Sequence, residues 1–357
     1  MMVLAMGGGE GEGRHNLTGL ARQGKTMISP VKKEGSAADS LSGSALGLMC
    51  GDALGAPVEG LFHADLAARV GWISEMRGGG GFAAGSTTDD SQLMTGILEA
   101  LEADDGLPAG LLAGRFADNF EPHRGYGSST LAALRALRAG RSGPEALSRP
   151  SYGNGGAMGI APLGVYFHHD LPLALERAES ACRTTHHHPE ALAGAVAVAA
   201  CAAILTRRGL DGVRPEMAAV LEELQGLPPL KDSPMAKPLA RLASEGGLPQ
   251  IPPPRRAAWL AKTYGTTLRA VESVPVSLGA ALSAATFREA VEVAVNAGGD
   301  TDTQGAMAGG LAGARFGAKA IPADWLAALE NGPKGRRYVS RLAQRLGQRL
   351  GGRAGSR

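Results

Sequence analysis

The chain has 357 residues, 44% of them apolar and 20% charged, with a formal net charge of +2 at pH 7. That size and balance predict a folded chain with a sizeable core and give no ground for expecting nucleic acid as a partner. The charge is uneven: residues 334–357 hold eight Lys and Arg and no acidic residue, so the remainder is net acidic. Aromatics are only 4% against 53 glycines, which predicts a core of small residues on closely packed helices.

Residues 1–38 are rich in Gly, Lys and Ser without apolar periodicity and are expected to form a disordered leader with no signal-peptide core. Order is expected from about Ser40, read as an N-cap for the Leu46–Met49 segment. Helical patterns follow at 91–102, 111–119, 128–139, 171–183, 189–206, 215–224, 255–264, 287–295 and 304–316. β-branched runs with period-two alternation are nearly absent, which predicts no sheet. The stretch 227–254, ending in Ile251-Pro252-Pro253-Pro254, lacks a pattern and reads as a surface excursion within one domain. The expected organisation is one all-α domain over 39–333, flanked by the leader and a basic tail over 334–357.

Arginines recur every four residues from Arg341 to Arg357, beside Leu342, Leu346 and Leu350. A solvated terminal helix is favoured there over one that docks on an acidic partner, nucleic acid or a membrane surface. No window reads as long and apolar enough to cross a membrane. Cys50, Cys182 and Cys201 show no CxxC spacing and are expected to be buried free thiols in a reducing, cytoplasmic setting.

Two acidic motifs carry the chemistry. Ser86-Thr87-Thr88-Asp89-Asp90-Ser91 precedes one helical pattern, and Gly298-Gly299-Asp300-Thr301-Asp302-Thr303 precedes another. Helix capping explains one Asp in each. It does not explain two, because neighbouring carboxylates repel unless a cation lies between them. Hydroxyl and carboxylate oxygens suit hard divalent ions such as Mg²⁺ or Mn²⁺, whereas zinc sites recruit Cys or His. If the motifs converge in space they form a metal site, for more than one ion. Gly305, Gly309, Gly310 and Gly313 follow at helical spacing and predict the close approach of another helix or a ligand. The His186-His187-His188 triplet does not read as a zinc site, since consecutive side chains diverge and no Cys or HxxxH partner is present.

Ala45-Leu46-Gly47-Leu48-Met49-Cys50-Gly51-Asp52-Ala53-Leu54-Gly55-Ala56-Pro57-Val58-Glu59-Gly60 resembles the opening helix of the ADP-ribosylglycohydrolases. Thr88-Asp89-Asp90 resembles that family's first metal motif, and Gly299-Asp300-Thr301-Asp302-Thr303 its second. Between them, Tyr152-Gly153-Asn154-Gly155-Gly156-Ala157-Met158 and Thr185-His186-His187-His188-Pro189-Glu190-Ala191 are similar to family segments in the same order, so the likeness spans roughly 42–318. It implies a single many-helix domain with a central dinuclear cleft holding two divalent cations, Mg²⁺ or Mn²⁺. Thr88, Asp89, Asp90, Asp300, Asp302 and Thr303 would be the ligands, Glu59 the catalytic acidic residue beside the scissile bond, guiding the water or acting as general base, and Asp52 a support behind the ligands. Ser151, Tyr152, Gly153 and Asn154 match a segment that contacts ADP-ribose, and His186 matches an element near its diphosphate or ribose. Gly159 stands where many relatives carry Arg, and Ser91 where Thr is common.

The implied activity is metal-dependent hydrolysis of the bond between ADP-ribose and an acceptor. The acceptor would be a protein side chain such as arginine or serine, or a small molecule. The partner would then be an ADP-ribosylated substrate, with nucleic acid only where it is itself ADP-ribosylated. A catalytically silent ADP-ribose-binding or structural relative, and a hydrolase of another ribosyl N-glycoside, are the alternatives. The intact acidic set argues against silence.

Overall fold

Ser36 opens helix α1 (Ala37–Gly55) as its N-cap, its Oγ accepting the Asp39 N–H at 3.1 Å. The expected cap, Ser40, lies one turn inside that helix and is buried. The computed structural model describes residues 36–141, 150–213 and 215–354, which are 69% helical with short 3₁₀ turns included, and form seventeen α-helices and no strand. The expected leader lies outside the described residues as far as 35, and the last three residues of the basic segment do too.

After α1 come α2 (His63–Arg69), α3 (Asp89–Ala103), α4 (Ala109–Asn119) and α5 (Ser128–Arg138). The middle of the chain supplies α6 (Ala161–Tyr166), α7 (Leu171–Arg183) and α8 (Pro189–Leu210). Then follow α9 (Met217–Gly226), α10 (Pro228–Lys231), α11 (Ala236–Ala243) and α12 (Pro253–Tyr264). The last group is α13 (Ala270–Ser283), α14 (Phe287–Asn296), α15 (Thr301–Phe316), α16 (Ala323–Ala328) and α17 (Arg336–Ala354).

Helices α1 and α15 form the central pair, and glycines set their distance. Gly43, Gly47, Gly51 and Gly55 recur every fourth residue on α1 and meet the backbone of Gly313, Gly309, Gly305 and Thr301 on α15, in reverse order. A Cβ at Gly51 would lie 1.8 Å from the Gly305 carbonyl oxygen, so the two backbones touch. The close approach expected from the α15 glycines is therefore a helix–helix contact. Its antiparallel sense sets the last turn of α1, with Asp52, against the first turn of α15, with Asp302. Gly51→Ala is expected to lower stability by about 3 kcal/mol through overpacking. Differential scanning calorimetry reads this as a clear fall in Tm, and an unchanged Tm would contradict the contact.

Three expectations need correction. Helix α8 is, by length and composition, long and apolar enough to cross a membrane; 83% of its most apolar window is buried among the other helices. An all-round apolar helix is what the centre of a large helical body requires. The 227–254 stretch is no loose excursion either. Leu230, Met235, Leu239, Leu242 and Leu248 are at most 1% exposed, with α10 packed on α8 and α9, and α11 on α9 and α13. The basic segment is a packed helix on one face: α17 lies on α1 and α3, burying Val339, Leu342 and Leu346, while Arg345 pairs with Glu102 of α3. The three cysteines are buried and free, as expected.

Candidate metal centre and substrate cleft

The first acidic motif is the N-terminal turn of α3. Thr88 is the N-cap, its Oγ1 accepting the Asp90 N–H at 3.4 Å, and Asp89 and Asp90 are the first two helical residues, both buried. Asp52 lies beneath this turn with no exposed surface. Its carboxylate accepts the Thr88 N–H at 3.0 and 3.1 Å, the Ser91 N–H at 3.1 Å and the Ser91 hydroxyl at 2.5 Å, and lies 2.9 Å from Thr88 Oγ1. Burial pushes the Asp52 carboxyl up to about 6, and these hydrogen bonds oppose the rise. Ser91 keeps this contact because it needs only its hydroxyl.

The second motif depends on Gly298 and Gly299, at φ +78° and +81°, a region that side-chain-bearing residues avoid. Their path threads the Asp300 turn between two other segments. Gly60 N–H donates to Gly299 O and Gly299 N–H to Leu61 O, both at 2.8 Å, while Asp300 N–H donates to Thr266 O at 2.8 Å. Those reciprocal bonds bring the Glu59 loop to Asp300. Gln304 holds the same turn from inside, its Nε2 donating to Gly298 O at 2.8 Å and Asp300 O at 2.9 Å. Asp300 is the N-cap of α15, and Asp302 lies within its first helical turn rather than ahead of the helix as expected.

The two motifs meet. One carboxylate oxygen from each of Glu59, Asp300 and Asp302 lies within 4.8 Å of the other two. Asp90 Oδ2 is 3.1 Å from Thr88 Oγ1 and 3.4 Å from Thr303 Oγ1, joining α3 to α15. Asp90 Oδ1 is buried without any partner among the described residues. Burial, then repulsion from neighbouring carboxylates, pushes Asp89, Asp90 and Asp302 well above the usual range. Glu59 is raised by desolvation and then by Asp300 and Asp52. Among the described residues, no Lys or Arg is a leading influence on Asp89, Asp90 or Asp302. Hard oxygen donors, crowded negative charge and a buried carboxylate oxygen with no partner are what a divalent-cation site of the Mg²⁺ or Mn²⁺ kind requires, so these residues fit such ions.

A cleft of about 580 Å³ opens from this centre. Glu59, Asp89, Asp300, Asp302 and Thr303 line one end, and Ser151, Gly153, Asn154 and His186 line the wall. Asn154 Nδ2 donates to Asp300 Oδ2 at 2.5 Å and to Ser273 Oγ at 2.9 Å, fixing the wall to the acidic end. The backbone of the wall pairs with a neighbouring loop, Asn154 N–H to Leu268 O at 2.9 Å and Ala270 N–H to Tyr152 O at 3.1 Å. Burial, then His187, pushes His186 down to about 4, so at neutral pH it is an uncharged hydrogen-bonding group. Thr88 and Asp90 sit beneath the lining and Asp52 behind them. Tyr152 stands apart from its neighbours in sequence: it is 48% exposed and is not part of the cleft lining, and the Arg269 guanidinium lies over its ring at 5.5 Å. Gly159 packs against α3, where a Cβ would lie 2.8 Å from Met94 N, so no side chain reaches the cleft from that position.

One part of the lining was missed by sequence reasoning. Helix α5 begins at the cleft, where Gly127, Ser128, Ser129 and Thr130 line it, and no side chain caps the helix. Its first N–H groups and dipole favour an anion there. The signal was the small polar run Gly125-Tyr126-Gly127-Ser128-Ser129-Thr130 at the start of a helical pattern.

The crowded carboxylates also set a pH dependence. Carboxyls raised above their unfolded values hold protons longer in the fold than in the unfolded chain. Their stabilising contribution is therefore full below about pH 4 and lost as pH rises through the folded values, about 6 for Asp52. Bound cation reverses this, so Mn²⁺ is expected to raise Tm much more at pH 7 than at pH 5. An equal rise at both would contradict cation binding by these carboxylates.

Comparisons with known proteins point the same way. A family model described as ADP-ribosylglycohydrolase matches residues 34–355. An uncharacterised protein of Archaeoglobus fulgidus is 32% identical over 304 residues, covering 84% of this chain and 92% of its own length. The ADP-ribosyl-(dinitrogen reductase) glycohydrolase of Rhodospirillum rubrum is 28% identical over 302 residues, covering 82% and 90%. A solved structure, described as an ADP-ribosylglycohydrolase-related protein complex, superposes with a TM-score of 0.67 at 31% identity, covering 88% of this chain and 98% of its own. With a family match over most of its length and the paired acidic turns in place, the chain belongs to the ADP-ribosylglycohydrolase family.

Proposed function

We propose that the chain is a hydrolase that cleaves the glycosidic bond between ADP-ribose and an acceptor, using two divalent cations, Mg²⁺ or Mn²⁺. One observation carries this reading: the carboxylates of Glu59, Asp300 and Asp302 converge at one end of a cleft that also contains an uncapped helix N-terminus. Thr88, Asp89, Asp90, Asp300, Asp302 and Thr303 would hold the cations. Bound there, such ions supply positive charge that polarises oxygen atoms and orients ribose hydroxyls.

The chain's own residues supply the rest. Breaking the bond at the anomeric carbon builds oxocarbenium character, which surrounding carboxylates stabilise. Glu59 points into the cleft with a raised carboxyl, suited to taking a proton from the attacking water and passing it to the leaving group. The uncapped α5 N-terminus and neutral His186 both line the cleft and would suit the anionic and polar oxygens of a diphosphate-bearing ligand. Asn154 orients Asp300.

ADP-ribose release from ADP-ribosyl-arginine and ADP-ribosyl-serine peptides tests this reading. Turnover of at least one peptide is expected, and the ratio of the two rates identifies the acceptor class. Tight ADP-ribose binding with turnover of neither would replace the enzyme with a binding protein.

A further inference from the structure

On the far side of the Thr87–Ser91 turn from the cleft lies a second, shallow pocket, lined by Thr87, Ser91, Gln92, Arg124 and Glu330 among others. Its polar walls are already paired. Tyr126 donates to Gln92 Oε1 at 2.5 Å, and Lys334 Nζ donates to Glu99 Oε1 at 2.7 Å and to Asn119 Oδ1. Such a wall offers little to a ligand. What it does instead is grip the first acidic turn.

We propose that Glu330 and Arg124 are positioning residues that hold the first acidic turn in its cation-binding geometry, an inference that rests on the metal reading above. A single oxygen of Glu330 accepts the Thr87 N–H at 3.0 Å, the Thr87 hydroxyl, and Arg124 Nη1 at 2.6 Å. The same Arg124 Nη1 donates to Thr87 O at 2.9 Å, so both polar groups of the Thr87 backbone are held by one ion pair. The Arg124 carbonyl accepts the Asp89 N–H at 2.8 Å, and the Glu330 N–H donates to Gly85 O at 2.9 Å. The segment is thus fixed at Gly85, Thr87 and Asp89 from this side, and at Thr88 and Ser91 by Asp52 from the other.

The clamp opposes a specific force. Asp89 and Asp90 are neighbours in sequence, both buried, and both repelled by Asp52 and Asp300. Like charges crowded at one helix start favour splaying apart, and the two-sided grip holds the Thr87–Ser91 backbone against it. Neither Glu330 nor Arg124 lines the substrate cleft. Their effect is therefore on cation affinity and not on substrate contact.

Calorimetric titration of the full chain with Mn²⁺, paired with kinetics at low and saturating Mn²⁺, tests the clamp. Losing a supporting contact behind a metal ligand weakens binding by ~10- to 100-fold. Glu330→Ala is expected to weaken Mn²⁺ binding by that much and to regain near wild-type kcat and KM at saturating Mn²⁺. Glu330→Gln, which retains an oxygen for Thr87, is expected to lose less. If Glu330→Ala does not fold, Arg124→Ala carries the same expectation. Glu99→Gln, which disturbs the neighbouring Lys334 and Asn119 pairs but no atom of the turn, is expected to lower Tm with Mn²⁺ affinity unchanged. Wild-type Mn²⁺ affinity in Glu330→Ala, or a loss matched by Glu99→Gln at equal Tm, would overturn the clamp. Asp90→Asn, titrated alongside, separates the two readings. Weakened binding there with Glu330→Ala unaffected rejects the clamp alone. Unchanged binding there with Glu330→Ala weakened keeps the clamp and removes Asp90 from the ligands.

Discussion

Replacing Asp302 with Asn is expected to abolish turnover and weaken divalent-cation binding by ~100-fold or more, since it removes a charge from the centre itself rather than from a support. The substitution keeps shape and leaves one oxygen, so the fold has no reason to change. Asp302 is 5% exposed and its carboxyl is raised by burial, then by Asp300 and Asp90. A neutral amide relieves that repulsion. The metal-free variant is therefore expected to melt at or above the temperature of the metal-free parent, while losing the parent's stabilisation by Mn²⁺. Stability and function move in opposite directions here, which is the mark of a site built for a ligand and not for the fold. Wild-type cation binding by calorimetry would remove Asp302 from the ligands.

Glu59→Gln is the second large effect. A positioned proton-transfer group contributes ~10²- to 10⁴-fold to rate, so kcat is expected to fall by that much with ADP-ribose affinity nearly intact. Glu59 occupies an exposed loop, held to Gly299 through the Gly60 and Leu61 backbone bonds rather than through its own side chain. Its removal therefore leaves the loop in place. The pH profile adds a second reading: because its carboxyl is raised, Glu59 gives the parent an acidic limb in kcat that the Gln variant lacks. A variant with parental kcat and the same acidic limb would assign proton transfer to another group.

Much of this site was legible in the sequence because its chemistry is local. Two acids within three residues at a helix start are visible without a fold, and capping explains only one of them. The α15 glycines were equally legible as a mark of close approach, because glycine inside a helix is unfavourable unless something needs the space. The partner of that approach was not. The α1 glycines repeat every four residues as well, yet nothing local says that the two series face each other.

The misses have physical causes of the same kind. Helix α13 carries Pro275 inside it and Val271, Val274 and Val276 around it, so its local pattern argues against helix, and burial on α8, α14 and α15 overrides that preference. The 227–254 stretch hides five buried apolar residues among prolines that start short helices instead of breaking long ones. The apolar stripe of α17 was visible, but whether it packs depends on α1 and α3 being beside it. Glu330 is the clearest instance. It lies 243 residues from Thr87, in a segment with no pattern around it, and only the fold sets its carboxylate on that turn.

The most direct test of the central claim is turnover of an ADP-ribosylated peptide by the full chain, stripped with a chelator and titrated back with Mn²⁺ or Mg²⁺. The two acidic turns predict no ADP-ribose release from the stripped protein and full recovery on titration, with recovery absent in Asp302→Asn. Undiminished release by the stripped protein would contradict a cation-dependent centre at Asp89, Asp90, Asp300 and Asp302.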